Sequence, residues 1–69
     1  MEEILAGILD AIEDEVQAQK SYQDLADKAD DPKVKKFFLQ LKLDEENHEN
    51  ELRSRYEAFK KLLDSQKKQ

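Results

Sequence analysis

The sequence predicts an all-α fold, a two-helix antiparallel hairpin that dimerises into a four-helix bundle, and three observations carry that expectation. A single glycine, Gly7, and a single proline, Pro32, leave the 69 residues almost free of internal breakers. Apolar residues recur at alternating spacings of three and four through both halves of the chain, the pattern of helices that pack along a seam. Charged residues make up 42% of the chain against 38% hydrophobic, which fits a narrow apolar stripe on a charged surface. At this length a chain buries only about 60% of the surface it exposes when unfolded, so a private, enclosed substrate pocket is not expected.

The first helix is expected from about Glu2 to Ala29. Its seam is Leu5, Ile8, Ile12, Glu15, Gln19, Tyr22, Ala26 and Ala29, widened by Ile4, Ala11, Ala18 and Leu25. A turn follows at residues 30 and 31. Asp31 can cap free backbone amides, Pro32 suits the first helical position, and its ring disfavours helix at the residue before it. The second helix is expected from Pro32 to about Ser65, along Val34, Phe38, Leu41, Glu45, His48, Leu52, Arg55, Phe59 and Leu62, with Phe37, Tyr56 and Leu63 beside them. Gln66, Lys67, Lys68 and Gln69 are expected to fray. A single hairpin has too little to close against, and self-association is therefore expected.

Composition removes several classes of function. With no cysteine, the sequence offers no disulfide, thiolate metal site, thiol nucleophile or iron–sulfur centre. The balance of 12 Lys and Arg against 17 Asp and Glu gives a net charge of -5, unsuited to nucleic acid, whose binding needs a basic face. No long apolar run suggests a signal peptide or a membrane span, so the expectation is a cytoplasmic protein with no membrane partner.

Glu15, Glu45 and His48 interrupt the two seams where apolar residues stand on either side. Burying an unpaired carboxylate is costly, so something must compensate. With the turn at residues 30 and 31, all three lie about 22 to 26 Å from the bend and share one layer. Glu45 and His48, at i and i+3, project from one face of their helix. One hairpin then offers two carboxylates and one imidazole; a two-fold dimer offers four carboxylates and two imidazoles, enough to neutralise two divalent cations. This is the ligand set of di-iron and di-manganese helical bundles. Oxygen and nitrogen donors without thiolate suit Fe, two irons per dimer, with Mn as the alternative and Zn or Ca as adventitious occupants.

These residues also resemble a known group. Glu15, Tyr22 seven residues later, the stretch from Glu15 to Ala29, and Asp31-Pro32 followed by Asp44-Glu45-Glu46-Asn47-His48 are similar to the ferritin-like superfamily, in particular rubrerythrin and the short encapsulated ferritins. The resemblance implies a ferritin-like four-helix bundle, with Glu15, Glu45 and His48 as iron ligands and Tyr22 as a tyrosine close to the iron. It further implies a ferroxidase oxidising Fe(II) to Fe(III) at a site shared by two subunits, for iron storage or detoxification. Ring-like higher oligomers and packaging as cargo in an encapsulin shell belong to the same implication.

Two other readings stand beside it. One is a rubrerythrin-like peroxide reductase fed by an external electron donor. The other is a non-catalytic interaction module whose polar layer only specifies the dimer. Around the layer, Gln19 could bond a ligand carboxylate or set the register, and Arg55 could form a salt bridge across the bundle or keep its head in water. Glu13, Asp14, Glu46, Glu49 and Glu51 read first as a solvated acidic face, and second as a local field that attracts cations.

Overall fold

The computed structural model describes residues 1–67, with side chains through residue 66. Two helices account for nearly all of them, α1 (Glu2–Lys28) and α2 (Pro32–Lys67). α1 starts without a side-chain cap, but Glu2 and Glu3 place negative charge at its amino end and Lys28 places positive charge at the other, both matched to the helix dipole. Ala29 leaves the helix in an extended conformation (φ -76, ψ 124) while its N–H still donates to the Ala26 carbonyl.

Asp31 then starts the second helix. Its Oδ1 accepts the backbone N–H of Lys33 at 2.7 Å and of Val34 at 3.3 Å, an N-cap that satisfies amides the helix itself leaves free. Pro32 occupies the first helical position, where its missing N–H costs nothing. The helix continues through Lys67, beyond the Ser65 expected from the sequence, so Gln66 and Lys67 extend it. Lys68 and Gln69 lie outside the described residues.

The helices run antiparallel along a body of 59 × 15 × 10 Å. Tyr22 stacks against Phe38, Lys42 donates to Gln23 at 2.7 Å, and Gln19 donates to Glu49 at 2.7 Å, so positions climb one helix as they descend the other. Among the described residues Leu5, Ile12 and Ala26 are the buried apolar core, and no large side chain is fully enclosed. Two helices in contact can bury one line of each and no more. Ile8, Tyr22, Phe38, Leu41, Leu52, Tyr56, Phe59 and Leu63 flank that line half-buried.

The seam of α2 differs from the heptad read off the sequence. Val34, His48, Arg55 and Leu62 are exposed, while Tyr56 and Leu63 turn toward α1. An unsupercoiled helix drifts by about 20° per heptad against a strict seven-residue repeat, so the contact line moves off its first register. The displaced residues are not scattered. Val34, His48, Arg55 and Leu62, with the half-buried Leu41 among them, follow one another at heptad spacing along one side of α2, as do the exposed Ile4 and Leu25 with the half-buried Ala11 and Ala18 on α1. This side of the hairpin carries a largely exposed apolar stripe interrupted by the polar layer.

Candidate metal centre

Glu15 stands at the middle of α1, and Glu45 and His48 stand one turn apart on the facing stretch of α2. Helix periodicity alone aims the latter two at one point, and the antiparallel register brings Glu15 to it. Glu15, Glu45 and His48 each offer a ligand atom within 4.8 Å of the others. His48 Nδ1 lies 3.6 Å from Glu15 Oε2 and 3.5 Å from Glu45 Oε2. Those separations are too long for hydrogen bonds. They suit donors that share a cation, since two atoms each bonded at about 2.0 to 2.2 Å can stand up to about twice that apart.

A second observation tests whether the donors fit a metal. Glu15 Oε2 is a buried oxygen without a hydrogen-bond partner, and a carboxylate oxygen so placed costs free energy until something positive meets it. A divalent cation between the three side chains would satisfy it. Hard oxygen donors with one imidazole suit iron or manganese, so the residues present fit the metal that the sequence implies.

The site is open on one side. Glu15 and Glu45 keep 24% and 21% of their side-chain surface in solvent, whereas His48 keeps 58%. The imidazole points out of the hairpin, onto the uncovered apolar side. Beside it an open groove of about 270 Å³ is lined by Glu15, His48, Glu51, Leu52 and Arg55. Three donors alone would leave an iron or manganese ion short of ligands, and the groove leaves room for others.

Tyr22 stands two helical turns from Glu15, about 10.5 Å along the axis. It lies on the bend side of Glu15 and stacks on Phe38, with ring centroids 6.5 Å apart and planes at 23°. Gln19, one turn from Glu15, donates through Nε2 to Glu49 Oε1 at 2.7 Å and, at 3.5 Å, to the carbonyl of Glu45. It therefore ties the helices together on the side away from the groove. Arg53 completes that tie with Nε 2.7 Å from the other Glu49 oxygen. The Gln19 amide, and after it the Arg53 guanidinium, hold the Glu49 carboxyl below its ordinary value.

Sequence reasoning grouped Glu49 with the acidic face and missed this role. Spacing gave no signal for it: Gln19 lies one turn from Glu15 toward the bend and Glu49 one turn from Glu45 toward the open ends, so the backbones diverge and the two meet through long side chains that each lean toward the amino end of their own helix. Arg55 is exposed and makes no hydrogen bond or ion pair among the described residues, which within the hairpin matches the alternative of a head kept in water. Glu13 bonds Gln17 and Glu46 lies 3.9 Å from Lys42, the local pairing of an ordinary helix surface.

Among the described residues no helix is long and apolar enough to cross a membrane. Neither the curated proteins nor the solved structures contain a significant match to the chain. The family model that does match covers residues 7–69 and is that of rubrerythrin, and with its paired helices and its Glu15, Glu45 and His48 cluster the chain belongs to this iron-binding, ferritin-like family.

Proposed function

We propose that the protein is a ferroxidase whose di-iron site forms between two copies of the hairpin, each copy contributing Glu15, Glu45 and His48. The observation that carries this reading is the orphaned, buried Glu15 oxygen facing two further donors on an open apolar side. Each feature is incomplete alone. A second copy placed against that side supplies the missing ligands and covers the exposed Ile4, Leu25, Val34, Phe37 and Leu62. Burying such side chains is worth about 1.5 to 3 kcal/mol each where burial becomes complete, so one docking event answers both needs.

Within this assembly the residues have separate tasks. Four carboxylates from Glu15 and Glu45 would neutralise two divalent ions, and two imidazoles would complete the donor set without adding charge. Iron held there would supply one-electron oxidation at each metal, Fe(II) to Fe(III), so that two electrons and two protons convert one dioxygen to hydrogen peroxide. The apolar side chains above and below the layer exclude bulk water and strengthen its electrostatics. Glu51, in the groove beside Glu15 and His48, would favour entry of Fe(II) as the substrate. Storage or detoxification of iron is the use proposed for the product, with an encapsulin shell as the compartment that the likeness to encapsulated ferritins suggests.

Substitution tests the assignment directly. Glu45→Ala and His48→Ala are expected to lose rapid oxidation of Fe(II), at least a hundredfold in initial rate, while circular dichroism shows the helices intact. Wild-type rates in either variant contradict the reading.

The rubrerythrin match favours a second reading, reduction of peroxide with electrons from a separate donor protein. It predicts that hydrogen peroxide oxidises the ferrous site far faster than dioxygen does, and that turnover continues when a donor is added. A single round of oxidation by dioxygen, with no gain from a donor, decides for the ferroxidase.

A further inference from the structure

One residue on the uncovered side is neither apolar nor part of the ligand cluster. Arg55 is exposed, lines the groove next to His48, and has no hydrogen bond or ion pair among the described residues even though Glu51 lies one turn away. On the other side of the ligand layer, toward the bend, three aromatic residues form one cluster. Tyr22 stacks on Phe38, and Phe37 meets Phe38 edge to face with centroids 5.2 Å apart at 70°. Phe37 is 57% exposed, on the face that Arg55 also occupies.

The spacing of these two features about the site is symmetric. At 1.5 Å per residue, Arg55 lies about 13 Å from the midpoint of Glu45 and His48 toward the open ends, and Phe38 lies about 13 Å from it toward the bend. A two-fold axis perpendicular to the helices and passing through the ligand layer exchanges those two levels. Each arginine is then brought level with the aromatic cluster of the other copy. A two-fold axis parallel to the helices does the opposite, placing the two Arg55 side chains at one level, facing inward with like charge.

We infer that Arg55 is a docking residue of the dimer: each Arg55 guanidinium lies on the Tyr22, Phe38 and Phe37 cluster of the other copy, a contact that only an antiparallel second copy can make. A guanidinium over an aromatic face is attracted by the ring quadrupole, more so as water is removed. The long aliphatic stem covers apolar surface on the way. Two such contacts flank the metal layer, one on each side, and the like-charge clash rejects the parallel arrangement. The inference rests on the dimeric site proposed above and adds to it a contact between copies, Arg55 on the aromatic cluster, that favours this direction of docking.

Spin labels test the direction separately from the existence of the dimer. The sequence has no cysteine, so Lys61→Cys, exposed near the open end, labels at one position. With the diamagnetic probe Zn(II) loaded at one equivalent per chain, the antiparallel dimer predicts a label-to-label distance of about 40 to 45 Å. A distance below about 25 Å signifies a parallel dimer and overturns this inference while leaving the shared site standing. A zinc-loaded chain that sediments as a monomer overturns both. The role of Arg55 is read from dimer dissociation: Arg55→Gln and Phe37→Leu are each expected to weaken the dimer about tenfold, with Arg55→Lys in between. Because both partners of one contact are removed, the double variant should be little weaker than either single one. An Arg55→Gln dimer as tight as wild type, or fully additive losses, contradicts the contact.

Discussion

Glu15 is the residue on which the account turns, because it would be a defect in any purely structural reading. Its Oε2 is buried without a hydrogen bond while a carboxylate and an imidazole stand close by. If the layer only fixed register, replacing Glu15, Glu45 and His48 together by apolar residues of similar volume would stabilise the protein and leave its assembly intact. The metal reading predicts a more stable metal-free hairpin in that triple variant, together with complete loss of metal binding by equilibrium dialysis. These three residues were legible in the sequence because charge in an apolar seam is conspicuous and helical spacing fixes their relative height. Glu49 was not, since heptad counting places it beside the seam and says nothing of which neighbour it finds. The structure shows its carboxyl held low by Gln19 first and Arg53 second. Its stabilising contribution is therefore present above the ordinary value of 4.5 and lost as the pH falls through the lowered one. Gln19→Leu should raise the Glu49 pKa toward 4.5, followed by NMR titration, and lower the melting temperature of the metal-free hairpin. An unchanged titration would show that the bond to Gln19 does not form.

At the scale of the helices, the ends obeyed local rules and the middle obeyed packing. The turn was readable from Asp31 and Pro32 because capping and proline stereochemistry involve only neighbouring residues, and the Asp31 side chain caps the amides of Lys33 and Val34 as those rules require. Asp31→Ala should cost about 1 kcal/mol, measured by chemical denaturation. Gly7 has the opposite character. It sits inside α1, and a Cβ built there meets nothing within 4 Å, so Gly7→Ala should stabilise the metal-free hairpin by about 0.5 to 1 kcal/mol in the same assay. The seam of α2 was only partly legible. Heptad counting assigns every apolar position to one interface, whereas two helices divide the stripe: Tyr56 and Leu63 turn toward α1, and Val34 and Leu62 do not. Which apolar residues belong to the hairpin and which to a further partner depends on helix twist, which a list of spacings does not contain.

For the whole molecule, the sparse core and the open ligand cluster are two aspects of one geometry. A body 15 Å wide and 10 Å thick has no interior in which to seat a metal pair. The ligand layer lies near the middle of its length, where a perpendicular two-fold axis gives the fullest overlap of two copies. In the proposed dimeric site metal binding and dimerisation would be linked, because an ion bound by both copies stabilises only the assembled form. Removal of metal by a chelator should shift the protein toward monomer, seen as a fall in sedimentation coefficient, and re-addition should reverse it. Chelation without any change in assembly would mean that the apolar side closes independently of the metal. The hairpin and the three-residue cluster are legible in the sequence. The uncovered side could not, because exposure is a property of the folded pair.

The most direct measurement is anaerobic loading with Fe(II) at increasing ratios, followed by mixing with air-saturated buffer and stopped-flow recording of the ferric absorbance in the near ultraviolet. A pair of ions held between two copies predicts a fast phase that saturates at one iron per chain. Oxidation no faster than in buffer alone, or a fast phase that grows without a break at that ratio, would contradict it.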